Sequence, residues 1–188
     1  ELEGPRVSVQ HLLCAAVGRT LAAWPMANAR IRGHRIIPCE AVGVAMPVNL
    51  LGHAEGRRRE VGMVVVEDAG RASLRDIATR TRETVNSERE GRTDNVLMRA
   101  MLGLAGRTRG PTLHRVLDAL DRAAQHPAVD ARMHRMAPVT AGLTNPGSAF
   151  SPELGLLFRG AAIQVPLRLV HVATLWGVSA VQDEVVAV

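Results

Sequence analysis

Apolar residues recur at helical spacing through Leu12, Leu13, Ala16, Val17 and Leu21, and that period predicts a core-facing helix from Ser8 to Trp24. Ser8 suits the cap of its first turn, and Pro25 supplies the stop. From Ile36 to Pro47 the pattern changes to a run rich in Ile and Val, which a charged stretch, Glu55 to Glu60, separates from a second run, Val61 to Val66. Two apolar runs joined by a polar, glycine-containing connection predict neighbouring strands. Ser73 and Asp76 form a capping pair for a second helix, which continues through Leu74, Ile77, Thr81 and Val85 with arginines on its opposite face.

The middle of the chain has a different texture. Val96, Leu97, Ala100, Met101 and Leu104 make one helical stripe, and Leu113, Val116, Leu117 and Leu120 make another. Gly106 to Pro111 breaks between them, so this stretch predicts a helical hairpin. Pro138 to Pro152 reads as loop. Beyond it, Ala161 to Pro166, Leu167 to Val178 and Val185 to Val188 are apolar or β-branched runs that suit a buried sheet.

Composition narrows the chemistry more than the fold. With 188 residues, 47% of them apolar and 22% charged, the chain suits one globular domain with a core of its own, 1–188. It contains no Lys and no Tyr, and all 23 basic residues are Arg. A Walker-type phosphate loop and Schiff-base catalysis both need a Lys, so neither is available. The net charge of +5 and the pI near 11.0 suggest nucleic acid at first sight. Guanidinium groups keep their protons, however, so arginine raises the pI without making a patch, and no arginine run is interleaved with stacking aromatics. No nucleic-acid partner is expected. Cys14 and Cys39 lack a partner at CxxC spacing, which predicts neither a zinc site nor a disulfide and fits a reducing compartment. No apolar run reaches the roughly 18 residues of a membrane span, and Glu1 to Arg6 do not resemble a signal peptide. A cytoplasmic protein without a membrane partner is the expectation.

Several segments, taken in order, carry a resemblance. The first helix is followed by Asn28-Ala29, then Ala41-Val42-Gly43-Val44-Ala45-Met46-Pro47, Val61 to Asp68, and Ser73-Leu74-Arg75-Asp76-Ile77-Ala78. Gly142-Leu143-Thr144-Asn145-Pro146-Gly147 and Ala173-Thr174-Leu175-Trp176-Gly177-Val178 come later. This order resembles the catalytic domain of dihydrolipoyl acyltransferases, the core component of 2-oxoacid dehydrogenase complexes. The last two segments are similar to that family's Thr-Ile-Ser-Asn-Leu-Gly and Ala-Ala-Ile-Leu-Gly-Val stretches. The resemblance covers most of the chain outside about 93–137, which stands as a helical insert. It implies a two-layer α/β fold of the chloramphenicol acetyltransferase type, a mixed sheet covered by helices, assembled as a homotrimer with active sites between subunits. It also implies an acyl-CoA thioester as substrate, with no resident cofactor.

The family's chemistry uses a His base, in a His-x-x-x-Asp-Gly motif, and a Ser hydroxyl as oxyanion donor. Thr144 falls at the place of that Ser, which keeps a hydroxyl donor; Asn145, Gly147 and Ser148 follow as substrate-binding candidates. The His motif does not occur in these residues, and the family's opening strand and helix have no counterpart here. The resemblance therefore implies either a piece of a longer enzyme or a relative that has lost its base. A catalytically degenerate trimeric scaffold is one alternative. The same fold redirected to cyclisation or isomerisation of a bound metabolite is another.

Three further groups invite a role. His171, in the run Leu169-Val170-His171-Val172, is a candidate inward base or a hydrogen-bonded structural residue. Arg57-Arg58-Arg59 suit the phosphates of coenzyme A, although Glu55 and Glu60 flank them and a solvated loop accounts for them equally. His126, Asp130 and His134 would share one face of a continuous helix as metal ligands. Pro127 favours helix onset there and makes His126 a cap, so a polar face is the reading adopted and no metal is expected.

Overall fold

The computed structural model describes residues 6–32, 34–50, 61–90, 92, 103, 110–145 and 171–178. Helix α1 spans Val9–Ala23. Its cap is Ser8, whose backbone N–H donates to Nδ1 of His11 at 3.0 Å, and it ends at Trp24, just before Pro25. The inward stripe is Cys14, Val17, Gly18 and Leu21, one helical face at i, i+3, i+4 and i+7. Leu12 and Ala16, expected in the core, lie on the outer side, and Leu12 is 50% exposed. The residues at the centre of the inward stripe are smaller than Leu12, which lets the helix approach closely. At Gly18 a Cβ would stand 2.5 Å from the Ala69 carbonyl oxygen.

The run 36–47, expected as one strand, is two elements in different sheets. β1 (Ala29–Arg32) and β2 (Arg35–Pro38) form an antiparallel hairpin of their own. β3 (Val44–Asn49) belongs to the main sheet. The division is enforced by Asn28, which is 2% exposed. Its side-chain amide donates to the carbonyls of Cys39 at 2.6 Å and Ala41 at 3.1 Å. The Cys39 N–H returns a bond to the Asn28 carbonyl at 2.8 Å. These contacts hold 39–43 out of extended pairing.

The main sheet has the order β4-β3-β5-β6, with β4 at Val61–Val66, β5 at Ala141–Thr144 and β6 at Thr174–Gly177. β3 and β4 are antiparallel neighbours, as expected, whereas β3 with β5 and β5 with β6 are parallel. The sheet is thus mixed and the architecture α/β. Side chains alternate across it. Val44, Met46, Val64, Val66, Ala141 and Leu143 point inward and are buried with Ile77 and with Cys14, Val17 and Leu21 of α1. α2 spans Leu74–Arg89 and starts with the expected box: the Asp76 N–H donates to Ser73 Oγ at 3.1 Å, and Asp76 Oδ2 accepts from Ser73 Oγ at 2.6 Å. β6 differs from the buried strand expected, since Leu175 is 41% and Trp176 36% exposed at the sheet edge among the described residues.

β3 and β5 meet at a tight junction. The Gly43 N–H donates to Thr140 Oγ1 at 3.0 Å, and the Gly43 carbonyl accepts from the N–H groups of Thr140 at 2.8 Å and Ala141 at 3.0 Å. A Cβ on Gly43 would collide with the Pro138 carbonyl oxygen. Two helices, α3 (Pro111–Ala124) and α4 (Pro127–Met136), precede β5. The stripe of Leu113 to Leu120 thus forms the expected helix. The stripe through Val96, Leu97, Ala100, Met101 and Leu104 lies outside the described residues, as do the runs 161–166 and 185–188. Among the described residues no helix is long and apolar enough to cross a membrane.

Thr140→Val leaves the buried Gly43 N–H without an acceptor and is expected to lower stability by about 1–3 kcal/mol. Gly43→Ala, which forces the junction apart, should cost on the order of 3 kcal/mol. Urea unfolding of each variant beside the wild type measures both.

Candidate functional site

Thr144 is the last residue of β5 and half-buried. Because Leu143 points into the core, strand alternation puts Thr144 on the opposite, outer face of the sheet, beside Gly142, Ala45 and Pro47. Met63 and Val65 of β4 and Leu175 of β6 complete this apolar face. The Leu175 side chain lies over Gly142, where a Cβ would strike it. The Thr144 backbone is held by the Val178 N–H, which donates to its carbonyl at 2.9 Å. Asn145 follows, half-buried. Gly147, Ser148, Arg57, Arg58 and Arg59 lie outside the described residues. A concavity of about 550 Å³ opens elsewhere, between the end of α1 and β2, lined by Leu21, Pro25, Asn28, Cys39 and Glu40 among others; it includes nothing from β5 or β6.

His171 is not brought to Thr144. Thr144 pairs with Gly177, and His171 lies six positions earlier, a separation on the order of 20 Å along an extended strand. Its backbone and ring instead bind β1, and the ring faces α3. The Ile31 N–H donates to the His171 carbonyl at 2.7 Å, His171 Nδ1 lies 3.2 Å from the Ile31 carbonyl oxygen, and Nε2 stands 3.8 Å from Asp121 Oδ1 of α3. Beside it, Arg30 and Val172 form an isolated bridge.

His126, Asp130 and His134 go to separate tasks. His126 caps α4, its Nδ1 accepting from the Ala128 N–H at 3.3 Å, with Pro127 in the first turn as expected. Asp130 is 7% exposed and receives two guanidinium groups on Oδ2, Arg30 at 2.8 Å and Arg32 at 3.3 Å. Arg30 also points its Nε at Cys39 Sγ, 3.3 Å away. This arginine cluster escapes a sequence reading because Arg30 and Asp130 are 100 residues apart. Among the described residues no three His, Cys, Asp or Glu side chains converge as a metal group. Burial pushes the Cys14 thiol up to about 11, which leaves it a packed, unreactive group.

No protein-family model matches this sequence, and no curated protein matches it. Solved structures do match its fold. A probable dihydrolipoamide acetyltransferase from Listeria monocytogenes superposes over 99% of this chain with a TM-score of 0.55 at 15% identity. A truncated catalytic core of the 2-oxoacid dehydrogenase multienzyme complex from Thermoplasma acidophilum covers 95% with a TM-score of 0.53 at 14% identity. The chain has the fold of these acyltransferase catalytic cores. It spans 56% and 59% of their lengths, a little over half of each.

Burial lowers the pKa of His11, and burial with the nearby Arg30 charge lowers that of His134 despite the opposing pull of Asp130. Both rings are easier to protonate in the unfolded chain, at its ordinary value of 6.5. Their contribution is therefore constant above that pH and is lost as pH falls through 6.5 towards the lowered values. Denaturation midpoints should stay level from pH 8 to 7 and drop below 6.5, with His134→Gln flattening part of the drop.

Proposed function

We propose that this chain is an acyltransferase-like domain that handles acyl-CoA thioesters, with Thr144 as the oxyanion donor. The observation that carries the reading is the position of that hydroxyl. It closes the middle strand of the parallel trio β3-β5-β6, on the apolar face opposite the one packed against α1 and α2. Open α/β sheets receive ligands at the carboxyl ends of parallel strands. The fold it shares with dihydrolipoamide acetyltransferase cores supports the same chemistry.

Attack on a thioester puts negative charge on the carbonyl oxygen, and a hydroxyl fixed by a strand end can donate to that oxygen with little reorganisation. A thiol acceptor must also lose its proton, so a base has to complete the site. On this reading the base is the family's His motif, which these 188 residues lack. Half-buried Ala45, Pro47, Met63 and Val65, with exposed Leu175, offer an apolar surface suited to a homotrimer.

The test is acyl transfer from acetyl-CoA to dihydrolipoamide by the full-length protein. Thr144→Ala should lower kcat by roughly 100-fold with KM little changed, and Thr144→Ser should keep most of the rate. Sedimentation should give trimers. Trimers that neither transfer acyl groups nor bind acyl-CoA saturably would identify a structural scaffold instead.

A further inference from the structure

Among the described residues the hydrophobic core is built from α1, α2, the main sheet and the short turns beside them, with none from α3 or α4. Among the described side chains of those two helices, only Ala124 and Asp130 are buried. Leu120, Val129 and Met136 stay 39%, 36% and 38% exposed. Among the described side chains the apolar burial of the pair is partial, and a charge cluster joins it to β1.

We infer that α3 and α4 form a strap, docked on the β1–β2 hairpin by a charge clasp centred on Asp130, that comes away as a unit while the core stays folded. The holding points converge on three consecutive residues of β1. Arg30 and Arg32 are two apart, so they share one face of the strand and both reach Asp130 Oδ2. Between them, Ile31 binds His171, which stands 3.8 Å from Asp121 of α3. The ion triad is mostly withdrawn from water, with side-chain exposures of 13% for Arg30, 16% for Arg32 and 10% for Asp130. Loss of the carboxylate therefore leaves two adjoining guanidinium groups desolvated and uncompensated, a penalty relieved only when they reach water. Release of the strap lets them do so. Elements with few buried apolar contacts open at lower free energy than the fold as a whole. Opening also uncovers a strongly positive strand face, since Arg35 sits opposite Arg32 in the hairpin register.

Hydrogen exchange on the full chain tests this strap. In Asp130→Asn, amides of 111–136 should exchange about 10-fold faster or more, while those of α1, β3 and β4 keep wild-type rates. Arg32→Gln, which leaves Asp130 its shorter partner, should accelerate the same segment by less. Wild-type exchange over 111–136 in both variants overturns the proposal. So does acceleration spread evenly over α1, β3 and β4, which would make the triad part of the global fold.

Discussion

The junction of Gly43 with Thr140 fixes the register on which the mixed sheet depends. A parallel pair cannot be joined by a hairpin, and here the two residues are 97 positions apart. The strand therefore arrives without guidance from a local turn. The missing Cβ admits the Pro138 carbonyl, and the Thr140 hydroxyl answers the Gly43 N–H. Two further N–H groups close on the Gly43 carbonyl. A slip by one residue would turn Leu143 outward and Thr144 into the core, exchanging an apolar side chain for a buried hydroxyl. The same bonds that hold the fold decide on which face the candidate donor stands.

Local signals explain which elements could be read from sequence. α2 begins at the Ser73 and Asp76 box, and α1 stops at Pro25, because caps and stops act within a few residues. The pairing of β3 with β4 followed from two apolar runs. By contrast, 36–47 gave no sign of its division, because the break is made by Asn28, which binds back across 11 and 13 positions. β1 was invisible for a similar reason. Its Arg30 and Arg32 lack the character of a buried strand until Asp130, 100 and 98 positions away, neutralises them. Leu12 went to the wrong side because apolar character alone does not choose between helical faces about 100° apart. At the site, the hydroxyl of Thr144 was singled out by resemblance, but its strand was not legible: 138–152 read as loop, and Ala141–Thr144 becomes a strand only by pairing with β3 and β6, distant in sequence, just as the apolar outer face appears only in the folded sheet.

His171 shows how a strand histidine acquires a structural task. Its ring and carbonyl both address Ile31, and Asp121 approaches its second nitrogen. The result joins β1, the approach to β6 and α3 without bringing the ring near Thr144. The hairpin thus serves as a bracket between the main sheet and the α3–α4 pair, with its arginines on Asp130.

The outer sheet face links assembly to chemistry in the reading proposed for Thr144. A hydroxyl facing water donates to an oxyanion no better than the water it displaces, because the high dielectric dilutes its charge interaction. Covered by a neighbouring protomer, the same hydroxyl sits among Ala45, Pro47, Met63 and Val65, where few competing donors remain and its dipole is worth more to developing charge. The apolar character of that face then serves two ends with one set of side chains. In that reading it would supply both the area that draws protomers together and the low-dielectric surroundings that make a single hydroxyl effective. On the proposed reading a monomer would hold its substrate poorly and stabilise the transition state less, however intact its strands, which makes assembly part of the proposal for Thr144.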